Sequence, residues 1–110
     1  MSGENRDLLE RLYETIQSRK GGDPTVSHTA KLFAKGRAKI AQKMGEEAVE
    51  LAIAAVSETR EAMISESADL VFHLLVLWAE CGITIEDVRA ELAKREGRSG
   101  IEEKKARQMT

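Results

Sequence analysis

One cysteine, one proline and four aromatic residues are all that this 110-residue chain holds of those types. A lone Cys81 can form no intramolecular disulfide and writes no cysteine-based zinc site; it reads as a small buried hydrophobe. Scarce aromatics and a single proline argue against an all-β domain, whose strands favour aromatic and β-branched residues. The N-terminal stretch lacks the apolar core of a signal peptide. The longest nearly apolar run, Ala68 to Ala79, is too short to span a bilayer and contains Asp69 and His73. These absences predict a soluble, cytoplasmic chain with no membrane partner. The net charge of −2, from 19 acids and 17 bases, supplies no field to steer it onto nucleic acid.

The chain is 42% hydrophobic and 33% charged, and rich in Ala, Glu, Lys and Leu. That is the composition of helices, and the length is that of one domain over residues 1–110. The predicted fold is all-α, with four to five helices. Leu8, Leu9, Leu12, Tyr13 and Ile16 recur at helical spacing before Gly21 and Gly22. Ser27 is placed to cap a short helix through Phe33, broken at Gly36. A long helix is expected from Arg37 to Val56, and a second from Arg60 to Glu80, capped by Thr59 and stopped at Gly82. Thr84 and Asp87 form a capping-box pattern, flanked by Ile83 and Val88 as a hydrophobic staple, for a last helix to Arg95. The polar tail from about residue 98 is expected to be mobile, with Ile101 as its one docking residue.

Charge is unevenly distributed. Between Pro24 and Gly45 there is no acid, yet Lys31, Lys35, Arg37, Lys39 and Lys43 fall there, followed at once by Glu46, Glu47 and Glu50. On the long helix, Ile40, Met44, Ala48, Leu51 and Ala55 form the stripe expected to face the core. Lys39, Lys43, Glu46, Glu47 and Glu50 share a neighbouring arc of roughly 100°. Val49, Ile53 and Val56 give a further apolar strip. A helix apolar on two sides predicts packing within its own domain and against a partner chain.

Glu47 and Glu50 are three apart, so their side chains emerge from neighbouring turns. Glu66 and Asp69 repeat that spacing on the next helix, and His73 continues their line amid almost wholly apolar residues. Two helices joined by a short turn lie antiparallel, so four carboxylates are positioned to face one another across the pair. Carboxylates in such a setting are costly unless paired or bound to a cation. An all-oxygen set suits Mg²⁺, which in catalysis lowers the pKa of a water and clamps phosphate oxygens. The upstream lysines would bind the remaining phosphate charge. The plainer alternatives are a solvated acidic face, with Lys43 and Glu47 as a surface ion pair, and His73, Trp78, Met44, Met63 and Phe72 as core residues.

Glu46-Glu47-x-x-Glu50 followed after fifteen residues by Glu66-x-x-Asp69 resembles the acidic signature of the all-α, MazG-like nucleoside triphosphate pyrophosphohydrolases. Ser27 to Leu32, Lys39 to Glu50, Ser67 to Leu70, His73 to Leu77 and Arg95 to Lys104 resemble the phosphoribosyl-ATP pyrophosphohydrolase family. That resemblance implies Mg²⁺-dependent hydrolysis of phosphoribosyl-ATP to phosphoribosyl-AMP and pyrophosphate, the second step of histidine biosynthesis, by a homodimer. It also implies the stand-alone form, since the chain has no room for the cyclohydrolase fused to it in many organisms. Carried over by position, Glu47, Glu50, Glu66 and Asp69 would hold Mg²⁺. Glu46 and Glu47 would be the catalytic carboxylates, with Glu46 orienting or deprotonating the attacking water. Lys31, Lys35 and Lys43 would bind phosphate, with Lys39 the weaker candidate for its more outward position. Two other activities fit the acidic motif: a house-cleaning hydrolase of other nucleoside triphosphates, and a non-catalytic helical dimer.

Overall fold

In the computed structural model, residues 7–97, 104, 107 and 108 are described. The five main helices are α1 (Leu8–Arg19), α2 (His28–Ala34), α3 (Arg37–Ser57), α4 (Arg60–Cys81) and α5 (Ile85–Arg95), with no strand among the described residues. Their boundaries are written locally. Asp7, Ser27, Thr59 and Thr84 each accept a backbone N–H three residues on, satisfying donors that the first helical turn leaves without partners. Thr84 and Asp87 complete the expected capping box. Gly82 ends α4 in the left-handed region at φ 72°, where a side chain would be strained. The expected docking of Ile101 and most of the polar tail lie outside the described residues.

Only Glu58 and Thr59 separate α3 from α4, which make the most extensive helix contact in the chain. Ile40, near the start of α3, clusters with Leu75 and Val76 near the end of α4, while Glu47 midway along α3 meets Glu66 and Asp69 midway along α4. That is the antiparallel register. The hairpin therefore has three zones. At its open end Tyr13 and Ile16 of α1 and Leu32 and Phe33 of α2 join Ile40, Leu75 and Val76 in the core. Carboxylates occupy the middle. Toward the turn, Ile53 (52% exposed), Val56 (86%) and Ile64 (53%) lie uncovered.

The rotation of α3 differs from the apolar-stripe expectation. Its buried residues are Ile40, Glu47 and Ala54; Met44 and Leu51 are half-buried, and Ala48 and Ala55 are exposed. The helix turns Glu47 inward in place of Ala48, where it meets Glu66 and Asp69 of α4. Met63 is 37% exposed and so lies outside the core, while Phe72 and Trp78 pack against it partly buried. Cys81 is half-buried. In α1 only Tyr13 and Ile16 are buried, and Leu8 and Leu9 are exposed.

Candidate active site

Oxygen atoms of Glu47, Glu66 and Asp69, one from each, lie within 4.8 Å of one another. Glu47 is 6% exposed, Glu66 half-buried and Asp69 exposed, so the cluster grades from buried to solvent-facing. Glu47 Oε2 and Glu66 Oε2 are buried and have no hydrogen-bond partner. The one cation in contact is Lys43, whose Nζ is 3.5 Å from Glu47 Oε1 one helical turn away. Three close carboxylates against one half-exposed ammonium leave excess negative charge and orphaned acceptors. A hard cation with oxygen ligands resolves both, so these residues fit a divalent metal.

Glu50 stands outside that tight trio but feels it. The hydrogen-bonding approach of the Glu47 side chain raises the Glu50 carboxyl above the ordinary value. Repulsion by Glu47, then desolvation, then Glu66 add to the effect, and Lys43 opposes it. Of the four expected metal-holding acids, the fold thus brings three together and leaves the fourth on the exposed rim.

Glu46 faces elsewhere. It is exposed, accepts a hydrogen bond from Gln42 Nε2 at 3.1 Å, and lines a cavity of about 580 Å³ with His28, Leu32, Lys35, Lys39, Gln42 and Lys43. Lys35 and Lys43 line this cavity, and so does Lys39, the weaker of the candidate lysines, whereas Lys31 is exposed on α2 and is not among its walls. His28 and Gln42 were not singled out by composition or spacing. The one available signal was Gln42 sitting four residues before Glu46, the spacing of a helical side-chain pair.

His73 does not join the acids as a ligand. Its Nδ1 lies 2.8 Å from the Asp69 backbone carbonyl. A carbonyl only accepts, so Nδ1 carries the hydrogen and the buried Nε2 is left a bare acceptor without a partner. The contact joins His73 to the backbone behind Asp69 and leaves the carboxylate free.

Helices alone, with acids from an antiparallel pair converging beside a basic cavity, place the chain among the all-α pyrophosphohydrolases. More narrowly, it belongs to the phosphoribosyl-ATP pyrophosphohydrolase family, whose description matches residues 9–96. A phosphoribosyl-ATP pyrophosphatase of Paramagnetospirillum magneticum is 62% identical over 100 residues, covering 91% of this chain and 92% of the relative. That of Gluconobacter oxydans is 58% identical over 100 residues, 91% of this chain and 75% of its own. That of Paracoccus denitrificans is 57% identical over 107 residues, covering 97% and 99% respectively.

Proposed function

We propose that this chain hydrolyses the α–β anhydride of phosphoribosyl-ATP to phosphoribosyl-AMP and pyrophosphate in histidine biosynthesis, with Glu47, Glu50, Glu66 and Asp69 holding Mg²⁺. The observation that carries the metal assignment is the pair of buried, unpartnered oxygens on Glu47 and Glu66 beside Asp69. Bound there, Mg²⁺ supplies Lewis-acid chemistry, offsetting anhydride charge and favouring ionisation of a water at neutral pH.

The chain's own residues supply positioning and charge. Lys43 lines the cavity while its ammonium touches Glu47, so one cation faces both the carboxylates and an incoming phosphate. Glu46 stands at the same boundary, oriented by Gln42, with a free carboxylate oxygen to orient the attacking water and accept its proton. Water oxygen bonds to phosphorus, the bridging P–O bond breaks, and pyrophosphate departs with the electron pair. No side chain acts as a nucleophile. Lys43 and the remaining cavity lysines offset the negative charge of the phosphates.

The working form is a cytoplasmic homodimer in which Val49, Ile53 and Val56 of α3 and Met63 and Ile64 of α4 meet a second copy. Three observations support this. Val49, Ile53, Val56 and Ile64 are each more than half exposed. Only 17% of the most apolar window of α4, long and apolar enough in itself to cross a bilayer, is buried within one chain. The radius of gyration is 16.5 Å, against about 13 Å for a compact domain of this length. An arm of this kind, apolar and projecting, is stable in water when another apolar surface covers it.

The deciding assay is pyrophosphate release from phosphoribosyl-ATP, with dUTP, dCTP and ATP in parallel, each with Mg²⁺ and with EDTA. Mg²⁺-dependent turnover of phosphoribosyl-ATP alone is expected. Turnover of the ordinary nucleotides instead would keep the metal site and overturn the substrate; silence on all four would leave a non-catalytic helical module. Sedimentation of the wild type and of Ile53→Asp tests the interface: a dimer that the charge splits is expected, and a monomeric wild type would overturn it.

A further inference from the structure

Phosphoribosyl-ATP carries two separated anionic groups: the triphosphate, and a single phosphate on the ribose attached to its purine. The cavity likewise has two ends of different chemistry. At one end Lys43 is paired with Glu47, and Glu46 is held by Gln42. Further from the carboxylates, one turn back along α3 and at the C-terminal end of α2, stand Lys39 and Lys35, with Leu32, which is 5% exposed, also lining the cavity. Among the described residues neither Lys35 nor Lys39 has a carboxylate partner, and α2 and the first turn of α3 supply none.

Lys39 precedes Glu46 by seven residues, or roughly 10 Å along the helix axis. Lys35 caps the C-terminus of α2, beyond the start of α3, and extends the basic end further. Two unneutralised ammonium groups lining one cavity repel each other unless an anion lies between them. A triphosphate centred on the carboxylates meets Lys43 first, since Lys39 lies one helical turn further back along α3 and Lys35 precedes the helix.

We propose that Lys35 and Lys39 bind the phosphate of the second ribose and thereby distinguish phosphoribosyl-ATP from ATP. This rests on the substrate reading above and divides the lysines by role. Lys43 serves the anhydride, Lys35 and Lys39 the remote phosphate, and Leu32 supplies an apolar floor for the nucleoside between them. A nucleotide without the second phosphate leaves the two ammonium groups facing each other uncompensated, which disfavours it.

Two probes separate the ends. α,β-Methylene-ATP has the triphosphate and no second phosphate; phosphoribosyl-AMP has the second phosphate and no pyrophosphate. Their affinities are measured by calorimetry with Mg²⁺ on the wild type and on Lys35→Gln, Lys39→Gln and Lys43→Gln. Far-UV circular dichroism checks that each of these surface variants remains folded. Lys35→Gln and Lys39→Gln should each weaken phosphoribosyl-AMP about tenfold or more, the loss of a charge-assisted phosphate contact, with a much smaller effect on α,β-methylene-ATP. Lys43→Gln should act more strongly on α,β-methylene-ATP. Equal weakening of both ligands by Lys35→Gln and Lys39→Gln, or a greater effect on α,β-methylene-ATP, or no effect, overturns the assignment. Pyrophosphate release from phosphoribosyl-ATP by the wild type is measured on the same preparation. If it fails, the substrate reading falls; if it succeeds while the lysine pattern is absent, only this assignment falls.

Discussion

The α1–α5 contact and the α3–α4 contact treat charge in opposite ways. Where α5 meets α1, Arg89 pairs with the exposed Glu86 and Asp7 and with the half-buried Glu10, and no residue of α5 is fully buried. The Tyr13 hydroxyl, donating to the Ile83 carbonyl, ties the same region together. Where α3 meets α4, three acids converge, two of their oxygens are buried without partners, and a single lysine opposes them. Exposed ion pairs cost little and contribute little. Buried like charges are costly, so a fold retains them where they bind something. The periphery is arranged for folding and the hairpin centre for a ligand.

The sharpest way to break this comparison is at the centre. Glu47→Gln or Asp69→Asn should lower turnover by roughly a hundredfold or more, as for removal of a key electrostatic group, with helix content intact. The metal-free Glu47→Gln chain should melt no lower than the wild type, because the amide relieves repulsion from Glu66 and Asp69. Near wild-type turnover at saturating Mg²⁺ in either variant would remove those residues from the ligand set.

Metal itself should stabilise the wild type. At a hundred times its dissociation constant, a ligand specific for the folded state adds about 2.7 kcal/mol. Calorimetric scans with and without Mg²⁺ should show that gain in the wild type and lose most of it in Glu47→Gln. In EDTA the pH dependence has a definite sign. The folded-state value of Glu50 is raised by Glu47, so its contribution is most favourable below the ordinary carboxyl value of 4.5. That contribution is lost as pH rises through the raised value. Glu47→Gln should flatten the dependence; an unchanged slope would mean that Glu50 does not sense Glu47.

At the periphery effects should be smaller and indifferent to metal. Tyr13→Phe removes one part-buried hydrogen bond and should cost about 1 kcal/mol in chemical denaturation, with turnover unchanged. Arg89→Ala touches only surface pairs and should leave the denaturation midpoint within error at physiological salt. A turnover loss in either variant would tie the α1–α5 contact to the site and dissolve the contrast.

Legibility in the sequence followed the range over which each feature is decided. Capping by Ser27, Thr59 and Thr84 and the stop at Gly82 involve groups a few residues apart, and the helix ends fell within about one or two residues of expectation. The carboxylate pairs were legible because their spacing is helical and their turn is short. The inward turn of Glu47 was not, since hydrophobicity favours Ala48 at that place and the rotation of α3 is fixed by its packing on α4 as a whole. The place of Lys39 was left open for a related reason: its cavity is walled by α2, and α2 meets α3 at Gly36, whose φ of 91° is open to glycine and strained for other residues.

By itself, then, the sequence determined an all-α chain of four to five helices, two acidic pairs, a basic run ahead of them and an apolar strip with no place in a single core. All of these depend on backbone propensity, capping and periodicity, which act within a turn or two. Tertiary structure alone decided which acids meet and which lysines share a cavity. It also decided which apolar residues stay uncovered, because these depend on the rotation of α3 against α4 and the placement of α2. Those angles minimise the free energy of whole surfaces in contact, and no local stretch of chain encodes them.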